Sequence, residues 1–158
     1  MIDFQRTRAR RAGERGFSMI EVLIAIVVLA IGLLGFALLQ TTTLRYTQSA
    51  NSRTLATNLG YSLLDQMRTN RLSAAQYTSA GFTANSLADT ACNPSASTDA
   101  VAQGIASWQC QVFNALGPSA AATVTFDASG QASVQLSWGE RSAIDSENMT
   151  TFTASTQL

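Results

Sequence analysis

A lone carboxylate at the head of a long apolar run is the first place in this chain where residue type and spacing point to chemistry. Glu21 follows Gly16-Phe17-Ser18-Met19-Ile20, and behind it Val22 to Leu39 are eighteen residues without a charge or a polar side chain. An acidic group in hydrocarbon costs on the order of 2.5 to 3.5 kcal/mol at a helix centre and less toward the interface, so Glu21 needs a partner or a task. The rest of the chemical inventory is thin. The chain has no histidine, which removes the commonest metal ligand and the commonest general base together. No nucleophile-elbow pattern and no glycine-rich phosphate loop accompany its Ser, Asp and Glu residues, so the sequence reads as non-enzymatic, with no cofactor and no metal. Asp145-Ser146-Glu147-Asn148 offers the oxygen ligands that calcium takes, but its spacing follows no calcium loop, and a solvated loop is the reading for it.

The elements that position Glu21 come next. Eighteen apolar residues are enough to span a bilayer as a helix. The 158-residue chain is neutral as a whole, yet residues 1 to 16 hold Arg6, Arg8, Arg10, Arg11 and Arg15 against Asp3 and Glu14, a net +3 balanced by −3 in the remainder. A basic segment abutting a spanning helix is held on the cytoplasmic side, which sends the C-terminal part outward. The arginines are therefore read as a topology signal, not as a nucleic-acid patch. Cys92 and Cys110, the two cysteines, both fall in the outward part, where an even count suggests one disulfide. Closing the loop of roughly 19 residues from Cys92 to Cys110 contributes about 3 kcal/mol on the chain-entropy model. Two buried free thiols remain the alternative.

An ordinary secretory signal fits residues 1 to 39 poorly, because the apolar run is too long and Phe36-Ala37-Leu38-Leu39-Gln40 offers no small-x-small cleavage site. A plain anchor leaves Glu21 unexplained. The combination of a short basic leader ending in glycine, Phe-x-x-x-Glu and an unbroken apolar helix resembles the class III signal of type IV pilins and pseudopilins. The resemblance implies that a prepilin peptidase cuts between Gly16 and Phe17 and that Phe17 becomes the N-methylated first residue. It also gives Glu21 a role in assembly. The amine freed at Phe17 of one subunit pairs with the carboxylate of a neighbour in a filament of staggered parallel helices. A glycine at the cut lets the backbone lie extended in a peptidase groove. Gly32 and Gly35 do not have the spacing of the helix-dimer motif, and they read as sites of bending or close packing. Many major pilins have a proline partway along this helix; here the first proline is Pro94.

Five segments follow from the pattern: a leader over 1–16, a transmembrane half-helix over 17–39, an amphipathic half-helix over 40–72, a loop and short helix with the disulfide over 73–118, and an antiparallel sheet over 119–158. In the amphipathic half, Leu55, Leu59, Leu63 and Met67 recur at steps of four with Leu64 beside them, leaving Arg53, Asn58, Asp65 and Arg68 toward solvent. Ser73 to Ser97 reads as an irregular loop with Tyr77, Phe82 and Leu87 as anchors. Trp108, Cys110 and Val112 alternate as in a strand. Val101, Ile105, Trp108, Val112 and Leu116 nevertheless recur at helical spacing between an N-cap at Thr98 or Asp99 and a stop at Gly117-Pro118, which predicts a helix. Ala122 to Phe126, a turn over Asp127-Ala128-Ser129-Gly130, and the alternating Ala132, Val134, Leu136 and Trp138 predict a hairpin. A third strand from about Thr150 to Leu158 follows a polar loop from Gly139 to Asn148. The fold class is α+β: a long helical spine packed on a small antiparallel sheet, pilin-like by resemblance.

Leu63-Leu64-Asp65-Gln66-Met67-Arg68, the helix around Trp108 and the strand ending in Ser137-Trp138 narrow the resemblance to PilV-type minor pilins. That likeness implies an inner-membrane initiating complex that primes pilus assembly and supports twitching motility and adhesion. Its partners would be other minor pilins, the major pilin, the prepilin peptidase and a tip adhesin, with no nucleic acid. The protein would be single-pass, its C-terminal domain in the periplasm until it enters the pilus. A type II secretion minor pseudopilin would carry a nearly identical signal, and an uncleaved membrane anchor holding an enzyme or binding domain is the reading from a different class.

Overall fold

The computed structural model describes residues 16–87, 92, 99–140 and 148–158, with the backbone alone at 148. The leader arginines, the candidate cap Thr98 and the Asp145-Ser146-Glu147 group lie outside these residues. Helix α1 runs Met19–Thr69 and is followed by a 3-10 helix over Arg71–Ala80. Helix α2 covers Ala100–Leu116, and the strands are β1 (Ala121–Phe126), β2 (Gln131–Glu140) and β3 (Asn148–Gln157). The chain divides into two compact units, Met1–Thr42 and Thr43–Leu158.

In the first unit the described part of α1 buries nothing, and its large apolar side chains all face outward. By length and composition α1 is the one helix among the described residues able to cross a membrane. Its unbroken course has a simple local cause: no proline interrupts the backbone hydrogen bonds. Farther along, Thr41 and Thr42, and in the second unit Thr47, Thr54 and Thr57, donate their hydroxyls to carbonyls three or four residues back, so these polar side chains are satisfied within the helix.

The second unit has a conventional interior. One face of α1, with Ala56, Leu59, Gly60, Leu63, Leu64 and Met67 buried, packs with α2 and the inner face of the sheet. Compared with the expected stripe, Leu55 lies at its margin, and Ala56 and Gly60 take central places. Small residues win there because they let a neighbour approach closely: a Cβ on Gly60 would lie 2.7 Å from the Phe152 ring. Arg53, Asn58, Asp65 and Arg68 are exposed. Trp108 of α2 is fully buried, and its indole N–H donates to the Leu59 carbonyl at 2.8 Å, satisfying the one polar atom that the ring brings into the core. Asp99 caps α2 by accepting from the Val101 N–H at 2.9 Å, and Gly117 ends it at φ 86°, a conformation that glycine adopts without strain.

The sheet is an antiparallel meander in the order β1-β2-β3. Ala132, Val134, Leu136 and Trp138 face inward at alternate positions, which is the period of a half-buried strand. The turn before them is held by Asp127, whose carboxylate accepts from the Ser129 N–H, the Ser129 hydroxyl and the Gln131 N–H.

Two expectations need correction. The long helix ends at Thr69 instead of 72, and the first part of the expected loop, Ser73 to Ala80, is not irregular but belongs to the 3-10 helix: Ala74, Tyr77 and Ala80 are buried at intervals of three, the repeat that places every third residue of such a helix on one side, and the element packs on β1 and α2. Tyr77 also accepts a hydrogen bond from Asn70 at 3.0 Å. Second, Gly139, Glu140 and Asn148 belong to the β2–β3 ladder, not to the loop, and β3 begins before Thr150. The ladder extends there because Ser119 Oγ accepts from the Gly139 N–H, and because Glu140 is held from α1.

Candidate processing and assembly site

Gly16, Phe17 and Ser18 precede the first turn of α1, and the Ser18 carbonyl accepts from the N–H of Glu21 at 3.0 Å, which starts the helix. Nothing described lies within 4 Å of where a Gly16 Cβ would stand, so packing gives no reason for a glycine at that position. Phe17 is 81% exposed and Met19 88% exposed. A peptide bond in an uncovered segment outside regular structure, next to a large exposed ring, is open to a protease groove.

Glu21 sits in the first turn of α1, where the helix dipole favours a negative charge. It is exposed, and among the described residues it makes no ion pair; the two that occur there join Arg53 to Glu140 and Arg68 to Asp65. The residues that follow it, from Val22 through Leu39, are exposed as well. An acid without an ion pair and an apolar surface without cover lie on the same stretch of helix, and the described residues supply a match for neither. Gly32 and Gly35 also have open space around them, consistent with close approach by something outside the chain.

The cysteines are brought together elsewhere in the structure. Cys92 and Cys110 form a disulfide with Cα atoms 5.0 Å apart, so the alternative of two free thiols is not realised. The bond ties residue 92 to the middle of α2, beside Asn114, whose Nδ2 donates to Cys110 Sγ at 3.4 Å. Among the described residues no group of three or more His, Cys, Asp or Glu is arranged to hold a metal.

A cluster that the sequence did not suggest lies at the far end of β2. The Glu140 carboxylate accepts from Ser49 Oγ at 2.9 Å and from Arg53 Nε at 3.4 Å, joining α1 to the sheet. Burial pushes this carboxyl up, but the hydrogen bonds from Ser49 and Arg53, the Arg53 charge and a hydrogen bond with Thr150 outweigh it, and the net effect holds Glu140 below the usual glutamate range. Only its distance in sequence from Ser49 and Arg53 hid it; the three residue types are an ordinary polar set.

Residues 11–37 match the family model described as the prokaryotic N-terminal methylation motif. No curated protein and no solved structure matches the chain. The matched residues contain Gly16, Phe17, Glu21 and most of the exposed apolar helix, and they support a prepilin-like family. What the chain carries is therefore an N-terminal methylation signal of the prepilin kind, followed by an α+β fold of pilin-like type.

Proposed function

We propose that this protein is a minor pilin of the type IV pilus, a member of the inner-membrane initiating complex that primes pilus assembly and supports twitching motility and adhesion. The observation that carries the reading is the coincidence, within residues 11–37, of the methylation motif with a Glu21 that has no ion pair among the described residues and an exposed apolar helix. Before assembly the bilayer covers that helix, with the C-terminal domain in the periplasm. Prepilin peptidase hydrolyses the Gly16–Phe17 bond, and the new amine of Phe17 is methylated. In the filament, neighbouring helices replace lipid, and the Phe17 amine of one subunit meets Glu21 of another. Each charge is costly alone in hydrocarbon, so a stagger that leaves them apart is penalised, and the pair sets register more than it adds stability. Other minor pilins and the major pilin supply the neighbouring helices, and a tip adhesin is a further partner.

Glu21→Val tests the assembly role. The variant is expected to be processed and inserted normally but to be at least about tenfold depleted from sheared surface filaments, the equivalent of about 1.4 kcal/mol in a partition. Incorporation at the wild-type level would refute the pairing. Deletion of the gene separates the two filament systems: loss of twitching supports the pilus, and loss of enzyme export with intact twitching would assign the chain to a type II secretion pseudopilus.

A further inference from the structure

The two edges of the sheet differ. On β1 the Ala122 N–H donates to the Phe82 carbonyl and the Phe82 N–H donates to the Ala122 carbonyl, both at 2.9 Å, so this six-residue strand is capped partway. The ten-residue β3 pairs one-to-one with β2, without a bulge, and has no neighbour on its other side among the described residues. Residues in an antiparallel ladder alternate between bonding to the partner strand and facing away from it. The bond from the Leu158 N–H to the Gly130 carbonyl sets the phase. Even-numbered residues of β3 bond to β2, and Met149, Thr151, Thr153, Ser155 and Gln157 direct their N–H and C=O groups outward, where no backbone partner meets them among the described residues.

Sheet edges are ordinarily protected by charge, proline, a bulge or shortness. The strand Asn148–Gln157 reads NMTTFTASTQ and has none of these. Beside the edge, on the inner face of the sheet, Phe152 meets Tyr61 edge to face with ring centroids 6.3 Å apart, and Tyr61 remains 55% exposed. An unpaired backbone row flanked by an open aromatic shelf specifies an extended strand as its occupant, with apolar side chains facing inward over Tyr61 and Phe152.

We propose that the outer edge of β3 receives an extended strand from a neighbouring subunit of different sequence, whose inward side chains cover Tyr61 and Phe152. A second copy of this chain would fit the same hydrogen bonds, since antiparallel pairing about Thr153 sets every outward residue opposite another. That arrangement requires a two-fold axis, which a staggered parallel array of helices does not have. The choice of an unlike neighbour thus rests on the proposed function.

The test uses the full chain, in the membranes of the cells that make it and after purification in detergent. Amide hydrogen exchange at Met149, Thr151, Thr153, Ser155 and Gln157 is expected to be about tenfold or more slower in membranes, while Phe152 and Ala154, already bonded to β2, exchange alike in both. Thr153→Pro removes one outward N–H and no β2 bond, and is expected to lower filament incorporation about tenfold, whereas Thr153→Val incorporates normally. Equal exchange of the outward amides in both preparations would overturn the inference. A disulfide-linked dimer of Thr153→Cys in membranes would overturn the unlike neighbour. Protection of the edge in a chain still beginning at Met1 would sink the filament reading alone and leave strand pairing supported.

Discussion

Two stretches of α1 have opposite relations to apolar surface. From Val22 to Leu39 every residue is apolar and every one is exposed; from Ala56 to Met67 apolar residues occupy one face, and that face is buried against α2 and the sheet. The local backbone is the same in both. What differs is the angular distribution of side chains, and it determines where the partner comes from. A one-sided stripe is satisfied by elements of the same chain, whereas an all-round apolar helix has no such solution and takes its cover from lipid or from other subunits. Glu21 follows the same logic in electrostatic terms. Glu140 finds Ser49 and Arg53 within the chain, while Glu21 has no ion-pair partner among the described residues.

The contrast is tested most severely at Trp108. Trp108→Ala removes a fully buried ring and its bond to Leu59, and is expected to cost about 3 to 5 kcal/mol. That approaches the whole stability of a small domain, so urea unfolding followed by Trp138 fluorescence should show a collapsed or missing transition. Next comes Cys110→Ser, which opens a bridge between residues 18 apart and should cost about 2 to 4 kcal/mol, with reductant producing the same shift in the wild type and none in the variant.

A smaller effect is expected at Glu140. Its folded-state pKa is lowered, so its contribution is present above the ordinary value near 4.5 and is lost as the pH falls through the lowered one. Glu140→Gln should cost less than about 1 kcal/mol at neutral pH and should lessen the acid destabilisation seen in wild-type unfolding curves. At the other extreme, Leu29→Ala should leave the unfolding of residues 43–158 unchanged within about 0.5 kcal/mol, because Leu29 is exposed and belongs to the first unit. A destabilisation comparable to that of Trp108→Ala would erase the distinction between the two stretches.

Much of this was legible in the sequence because it rests on periodicity. Steps of four in α1 and α2, alternation in β2, and the Asp99 and Gly117 caps each declare themselves locally. The 3-10 helix was hidden by composition: Ser, Ala and Thr around Tyr77 read as loop, although Ala74, Tyr77 and Ala80 mark the interval of three. The last pairs of the β2–β3 ladder were missed because Gly139 and Asn148 are turn formers by habit, and what overrides that habit is contact with Ser119 and α1, distant in sequence. Gly16, Phe17 and Glu21 were visible for a different reason. They fall within the matched methylation motif, and on the proposed function their spacing answers to a peptidase and to neighbouring subunits, so it stands out against a helix whose own folding requires neither a glycine nor an acid there.

The central claim is that residues 1–16 are removed to expose an amine that answers Glu21. Intact-mass and N-terminal peptide spectrometry of the protein from sheared filaments and from membranes tests it directly. The account predicts a chain beginning at Phe17 with one methyl group on its amine. A chain that begins at Met1, with Phe17 internal and unmodified, would contradict it.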